Sequence, residues 1–181
     1  PLRPRKPPNW ATPRTNSRTV KRFLVCLVNC RTKRTSVAVP ARFVARTLFE
    51  EDFVVVARAR HPFAAKPTLE QFCRMRHLVV SLTGDAHGFV DTALEQAGLS
   101  RRVALTVPDF AMGLATVADT NLIAAMPRSF AALHAPRFGL VSREMPLKLR
   151  RYSIRAIATR AAMMDTGLAW LFGLLQETVD E

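Results

Sequence analysis

From about residue 44 onward, apolar and polar positions follow two distinct rhythms. Residues 43–49 and 53–59 are β-branched and aromatic runs that predict strands, parted by the acidic Glu50–Glu51–Asp52. Short apolar runs at 77–82, 103–107 and 121–126 predict buried strands, and 137–146 and 152–160 hold two more. Between them the spacing turns helical. Residues 68–76 predict a helix with Thr68 as its N-cap and Glu70 and Gln71 in its first turn. Phe89, Val90, Ala93, Leu94 and Ala97 lie on one helical face, and Gly98 suits the left-handed turn that ends such a helix. Further helices are predicted at 109–119, beginning at Asp109, at 127–134, with Pro127 at its start, and at 165–179, capped by Asp165. Pro62 and Pro67 bracket 61–67, which predicts a loop.

Strands alternate with helices from residue 53 to 142. That order predicts an α/β fold with βαβ units, right-handed crossovers and a mainly parallel sheet. Trp170, Phe172, Leu168, Leu171 and Leu175 crowd the last helix, and core packing explains them without a cofactor.

Residues 1–40 break the rhythm. They are rich in Arg, Pro, Thr and Ser, and only 23–28 could form a short buried strand. The whole chain has 181 residues, 49% hydrophobic, which suffices for one domain with a sizeable core. Its net charge of +13 would ordinarily point to a polyanionic partner. The charge is uneven, however. Residues 1–40 carry 10 Lys/Arg and no acid, which leaves 17 basic against 14 acidic residues in 41–181. A nucleic-acid argument therefore applies to the first segment and hardly to the rest. Three readings of 1–40 stay open: a disordered basic arm, an Arg-rich transit sequence, or out-of-frame translation of GC-rich DNA. The chain starts with Pro1, which fits a fragment or an incomplete reading.

Candidate chemistry is sparse. Cys26, Cys30 and Cys73 make no disulfide framework and fit a reducing compartment. No apolar run is long enough to span a membrane. Cys73 and His77 stand four apart, but no second pair completes a zinc site. No nucleophile–base motif is present. The turn SLTGDAHG at 81–88 lacks phosphate-loop spacing. Its bland reading is a helix start, with Asp85 accepting from the first free N–H groups and Gly88 allowing the tight turn. Its sharper reading is a cleft-lining loop at the end of a strand, where an anion is favoured. Asp85 and His87 read as a solvated turn before an acid–base pair. Asp109, an acid opening a helix just after a strand, reads equally as an N-cap or as a cleft residue.

Taken together, LFEEDFVVVARARHPFA, TLEQFCRMRHLVVS, GFVDTALEQAGLSRRVALTVPDF, LIAAMPRSF and LAWLFGLLQE resemble the effector-binding domain of LysR-type transcriptional regulators. The resemblance covers nearly all of 41–181. VPDF and RHPFA look most like the subgroup that senses aromatic or nodulation-type signals. It implies a two-lobed fold like a type 2 periplasmic binding protein, with a small effector held between the lobes. On this chain, about 50–146 would form a complete second lobe, and 41–49 with 147–181 only the last pieces of the first. The face of the closing helix near Leu168, Leu171 and Leu175 should then be poorly covered. Carried over by position, Asp109 and Phe110 would face the effector, Thr83 would lie at a strand end, and Glu50 and Glu144 would come from the hinge strands. An acid at 109 would disfavour a carboxylate ligand and suit a phenol or an amine. The resemblance further implies a cytoplasmic, homo-oligomeric regulator with no cofactor and no catalysis. DNA would be contacted only through an N-terminal domain missing from this sequence. A solute-binding module for transport, and a nucleic-acid binder acting through 1–40, are the competing readings.

Overall fold

The computed structural model describes residues 39–180. The expected strand at 23–28 lies outside the described residues, as does everything before Val39. In chain order the elements are β1 (Phe43–Glu51), β2 (Phe53–Arg58), α1 (Pro62–Ala65), α2 (Leu69–Arg74), β3 (Arg76–Val80), α3 (Phe89–Gln96), β4 (Arg102–Val107), α4 (Phe110–Asp119), β5 (Ile123–Pro127), α5 (Arg128–His134), β6 (Leu140–Glu144), β7 (Tyr152–Thr159) and α6 (Thr166–Asp180). Short 3-10 turns follow α5 at Ala135–Phe138 and precede α6 at Ala162–Met164.

Five strands form one sheet in the order β4-β3-β5-β2-β6. Strand β3 runs parallel to β4 and β5, as the βαβ reading predicts. Strand β2 runs antiparallel to both β5 and β6, so four strands share one direction, β2 is reversed and the sheet is mixed. The cause is topological. β2 continues from β1 and enters the middle of the sheet, and no helix precedes it to turn it into the common direction. β2 lies between β5 and β6, and both its faces are covered. Val54 and Val56 join one apolar cluster with Leu114, Val117 and Phe130, while Val55 and Ala57 join another with Phe63, Phe72 and Leu94. A strand buried on both faces needs a continuous apolar run, which is what 53–57 supplies.

Helix α4 lies close on the sheet because Gly113 has no side chain. A Cβ there would stand 3.0 Å from Met126 Cε, 3.3 Å from Val80 Cγ2 and 3.4 Å from Leu78 Cδ2. We expect Gly113→Val to lift α4 and cost about 1–3 kcal/mol in urea unfolding. Gly113→Ala should cost less, since the end of Met126 can turn away.

The second sheet is the antiparallel pair β1–β7, with a register shift between Thr47 and Phe49. Helix α6 packs against β1, and Phe172 of the helix, Leu48 of β1 and Ile154 of β7 are all buried. Asp165 accepts from Leu168 N–H at 2.9 Å and starts that helix as expected. Core packing does not account for the whole apolar set. Trp170 is 53% and Leu171 41% exposed, whereas Leu168 and Leu175 are half-buried. Among the described residues this unit has one helix and two strands, too few to cover α6 on every side.

Two local expectations change. Residues 62–65 form a single helical turn, not a loop. His61 caps it, accepting from Phe63 N–H through Nδ1 at 3.2 Å. Asp85 does not cap α3. Its Oδ1 accepts from His87 N–H at 3.0 Å in a local turn. The N-cap is Gly88, whose own N–H donates to Asp91 Oδ2 at 2.8 Å from the first turn of α3. The side chain that reaches back thus sits inside the helix, as in a capping box. The other caps stand as predicted: Thr68 accepts from Gln71 N–H, and Gly98 adopts φ +69° after α3.

Candidate functional site

A cavity of about 470 Å³ opens at the carboxyl end of β3, where the chain passes through 81–88 into α3. The sheet forms its floor through Leu78, Val80 and Ala125. Three aromatic rings wall it: Phe53 at the start of β2, Phe89 opening α3 and Phe110 opening α4. Phe53 and Phe89 lie 4.4 Å apart between centroids, and Phe110 leans on Phe130 at 5.5 Å. The polar side is the 81–88 turn, which brings Ser81, Thr83, Asp85 and His87 to the rim. His87 Nε2 stands 3.0 Å from Glu95 Oε1. The 81–88 turn therefore lines a cavity and also leads into a helix, whose start is held by Gly88 and Asp91 and not by Asp85.

Beneath the cavity lies a buried ionic group. Arg101, its side chain 3% exposed, holds Asp91 in a two-pronged pair, Nε–Oδ1 and Nη2–Oδ2 both at 2.8 Å. Its Nη1 also sits 3.4 Å from Nδ1 of the fully buried His77. The other nitrogen of His77, Nε2, is 2.7 Å from Phe72 O, so Nε2 carries the proton and Nδ1 faces the guanidinium as an acceptor. Burial, reinforced by the Arg101 charge, lowers the His77 pKa to about 4. The imidazole is therefore neutral at pH 7. Burial pushes the Asp91 carboxyl up, but the hydrogen bonds and charge of Arg101, with the Gly88 N–H, outweigh it and hold the group below the usual range. Both ring nitrogens of His77 are engaged by protein atoms, so a Cys73–His77 metal pair has no free imidazole ligand to offer.

Of the residues singled out from sequence, Thr83 and Phe110 line this cavity. Asp109 stands beside it as the N-cap of α4, with Oδ1 accepting from Met112 N–H at 2.8 Å. Its carboxylate thus serves the start of α4. Glu50 and Glu144 lie elsewhere. Glu50 accepts from Ser153 Oγ across the β1–β7 pair, and Glu144 pairs with Arg128 at 2.7 Å at the end of β6. That pairing holds the Glu144 carboxyl below its ordinary range. Sequence reading missed Phe53, Phe89 and Arg101 as site residues. Phe53 and Phe89 read as ordinary core positions, and nothing local marks Arg101 as buried.

The family model of the LysR substrate binding domain matches residues 33–180. The chain belongs to this LysR family. The match begins at residue 33, eight residues before the expected boundary at 41. Among curated relatives, the chain is 36% identical over 140 residues to the HTH-type transcriptional activator NagR of Ralstonia sp, covering 77% of this chain and 46% of NagR. It is 32% identical over 134 residues to the HTH-type transcriptional activator NahR of Pseudomonas putida, covering 74% of this chain and 45% of NahR. The chain thus spans less than half the length of these relatives. Its fold is shared with the regulatory domain of MexT, a transcriptional activator in Pseudomonas aeruginosa. That match has a TM-score of 0.67 and 29% identity, over 80% of this chain and 70% of MexT's domain. The architecture is accordingly the type 2 periplasmic-binding-protein-like fold, and the family is one of transcriptional regulators. Among the described residues no helix is long and apolar enough to cross a membrane.

Proposed function

We propose that this chain is the effector-sensing part of a LysR-type transcriptional regulator and that its effector is a small aromatic molecule. The cavity walled by Phe53, Phe89 and Phe110 carries this reading. Its volume falls in the range of small-molecule sites, and three rings around a polar rim suit a flat apolar body with one polar handle. The handle would meet Ser81, Thr83 and His87 near the N-terminus of α3. Asp109 would act by fixing the start of α4 and hence Phe110. Glu50 and Glu144 would act at the crossings between the two sheets. Residues of about 50–146 then make the second lobe, and 41–49 with 147–181 contribute to the first. Ligand binding would bias closure of the lobes, and closure would rearrange the subunits of a DNA-bound homo-oligomer. DNA contact would lie outside this domain, the protein would be cytoplasmic, and no reaction would be catalysed. The family match favours this reading over solute transport or binding through a basic arm.

Calorimetric titration of the chain with phenol, benzoate and benzylamine tests the proposal. At least one should bind, and Phe53→Ala should weaken that binding at least about tenfold, since it removes one aromatic wall. Absence of binding by all three, or binding that Phe53→Ala leaves unchanged, would overturn it.

A further inference from the structure

The chain passes between its two sheets twice, from β1 to β2 at Asp52 and from β6 to β7 through 145–151. In the five-stranded sheet β2 lies between β5 and β6, so three strand ends converge at that edge. They are the start of β2, the end of β5 and the end of β6. The residue following β5 is Arg128, and its reach matches this convergence. Its backbone N–H donates to Asp52 O at 2.9 Å, extending the β2–β5 ladder by one step. Its Nε donates to Asp52 Oδ1 at 2.6 Å and Nη2 to Oδ2 at 3.3 Å. The same guanidinium reaches over β2 to Glu144, Nη1–Oε1 and Nη2–Oε2 both at 2.7 Å. Arg151, at the far end of the second crossing, adds a longer approach to Asp52 at 3.9 Å.

We infer that Arg128 is a clasp that ties both crossings to each other and to the five-stranded sheet, holding the β1–β7 unit at one angle to it. The planar fork of arginine lets two carboxylates be held at once with paired hydrogen bonds to each, which the three donors of a lysine could match only in part. The first crossing has a second anchor, because Ser129 Oγ donates to Glu51, which is buried. The second crossing leans on Glu144, so loss of Arg128 should release it first. The clasp is coupled to the cavity by the chain itself. Asp52 is followed by Phe53, one of the rings that line the cavity, which meets Tyr152, the first residue after the second crossing, in a tilted contact at 5.4 Å. The link to ligand sensing rests on the function proposed above. The clasp itself does not.

Residual dipolar couplings of the ligand-free chain test the clasp. In the parent, one alignment tensor should fit the amides of both sheets. In Arg128→Met the couplings of β1–β7 should shrink by roughly half relative to those of β3 and β5, reporting freed reorientation. Arg128→Lys should fall between. Salt of about 1 M, where the screening length is about 3 Å, should move the parent toward the variant and leave Arg128→Met unchanged. If Arg128→Met keeps a single tensor, or if β3 and β5 lose their couplings equally, the clasp is wrong. Should Arg128→Met fail to fold, Glu144→Gln carries the same test, because this carboxylate is 77% exposed and its loss leaves the core intact. Unchanged couplings there would likewise overturn the inference. No ligand is needed, so this result is independent of whether any aromatic probe binds.

Discussion

Asp91→Ala should be the most damaging single substitution near the cavity, costing about 3–5 kcal/mol of folding stability. The reason is what it leaves behind. Arg101 loses two hydrogen bonds at 2.8 Å in a place where its side chain is almost wholly out of water. The remaining neighbour, His77, is neutral and cannot balance the charge. The same change also removes the acceptor for Gly88 N–H and so loosens the start of α3. Replacing both partners, as Asp91→Met with Arg101→Met, should cost clearly less than Asp91→Ala alone, because no charge is then stranded. Urea unfolding of the three variants checks this. A loss below about 1 kcal/mol for Asp91→Ala would mean that water reaches the pair and that the site floor is softer than described.

Stability should also fall by about 3 kcal/mol as pH drops from about 6.5 to about 4, with His77 the main cause. The folded chain keeps this imidazole neutral down to about pH 4, whereas an unfolded chain takes up the proton near pH 6.5. Protons therefore favour the unfolded state between those limits. The contribution is fully present above the upper limit and is lost as pH falls through the lower. His61, whose pKa burial also lowers, acts in the same direction. Asp91 adds its own loss only in stronger acid, because its carboxyl must be protonated from below its ordinary range. His77→Gln, which keeps a side-chain donor for Phe72 O, should flatten most of the slope between pH 6.5 and 4. Denaturation midpoints at several pH values measure it. An unchanged slope would place the titration elsewhere.

Much of the fold was legible in the residues. Periodicity located the strands and helices because each element's apolar face meets a core, and the caps at Thr68, Asp109 and Asp165 were legible because capping is local. Sheet direction was not. Whether β2 runs with or against β3 depends on where the chain enters the sheet, and no residue of 53–58 carries that information. The cavity was half legible. The 81–88 turn declared itself through its glycines and polar residues, and family position marked Phe110 and Thr83. Phe53 and Phe89 did not stand out, since a core ring and a cavity ring look alike in sequence. Arg101 lies ten residues from Asp91 and twenty-four from His77, so only folding brings the three together. Family position marks Glu144 as a hinge residue. Its partner Arg128 was invisible for the same reason of distance.

The most direct measurement of the central claim is a map of amide shifts in the nitrogen–proton spectrum as benzoate, phenol or benzylamine is added to the chain. The shifts for a binding probe should gather at Phe53, at 81–90 and at Phe110, around one cavity. Shifts gathered on the outer side of α6 near Trp170 and Leu171, or spread over the surface without saturation, would contradict it.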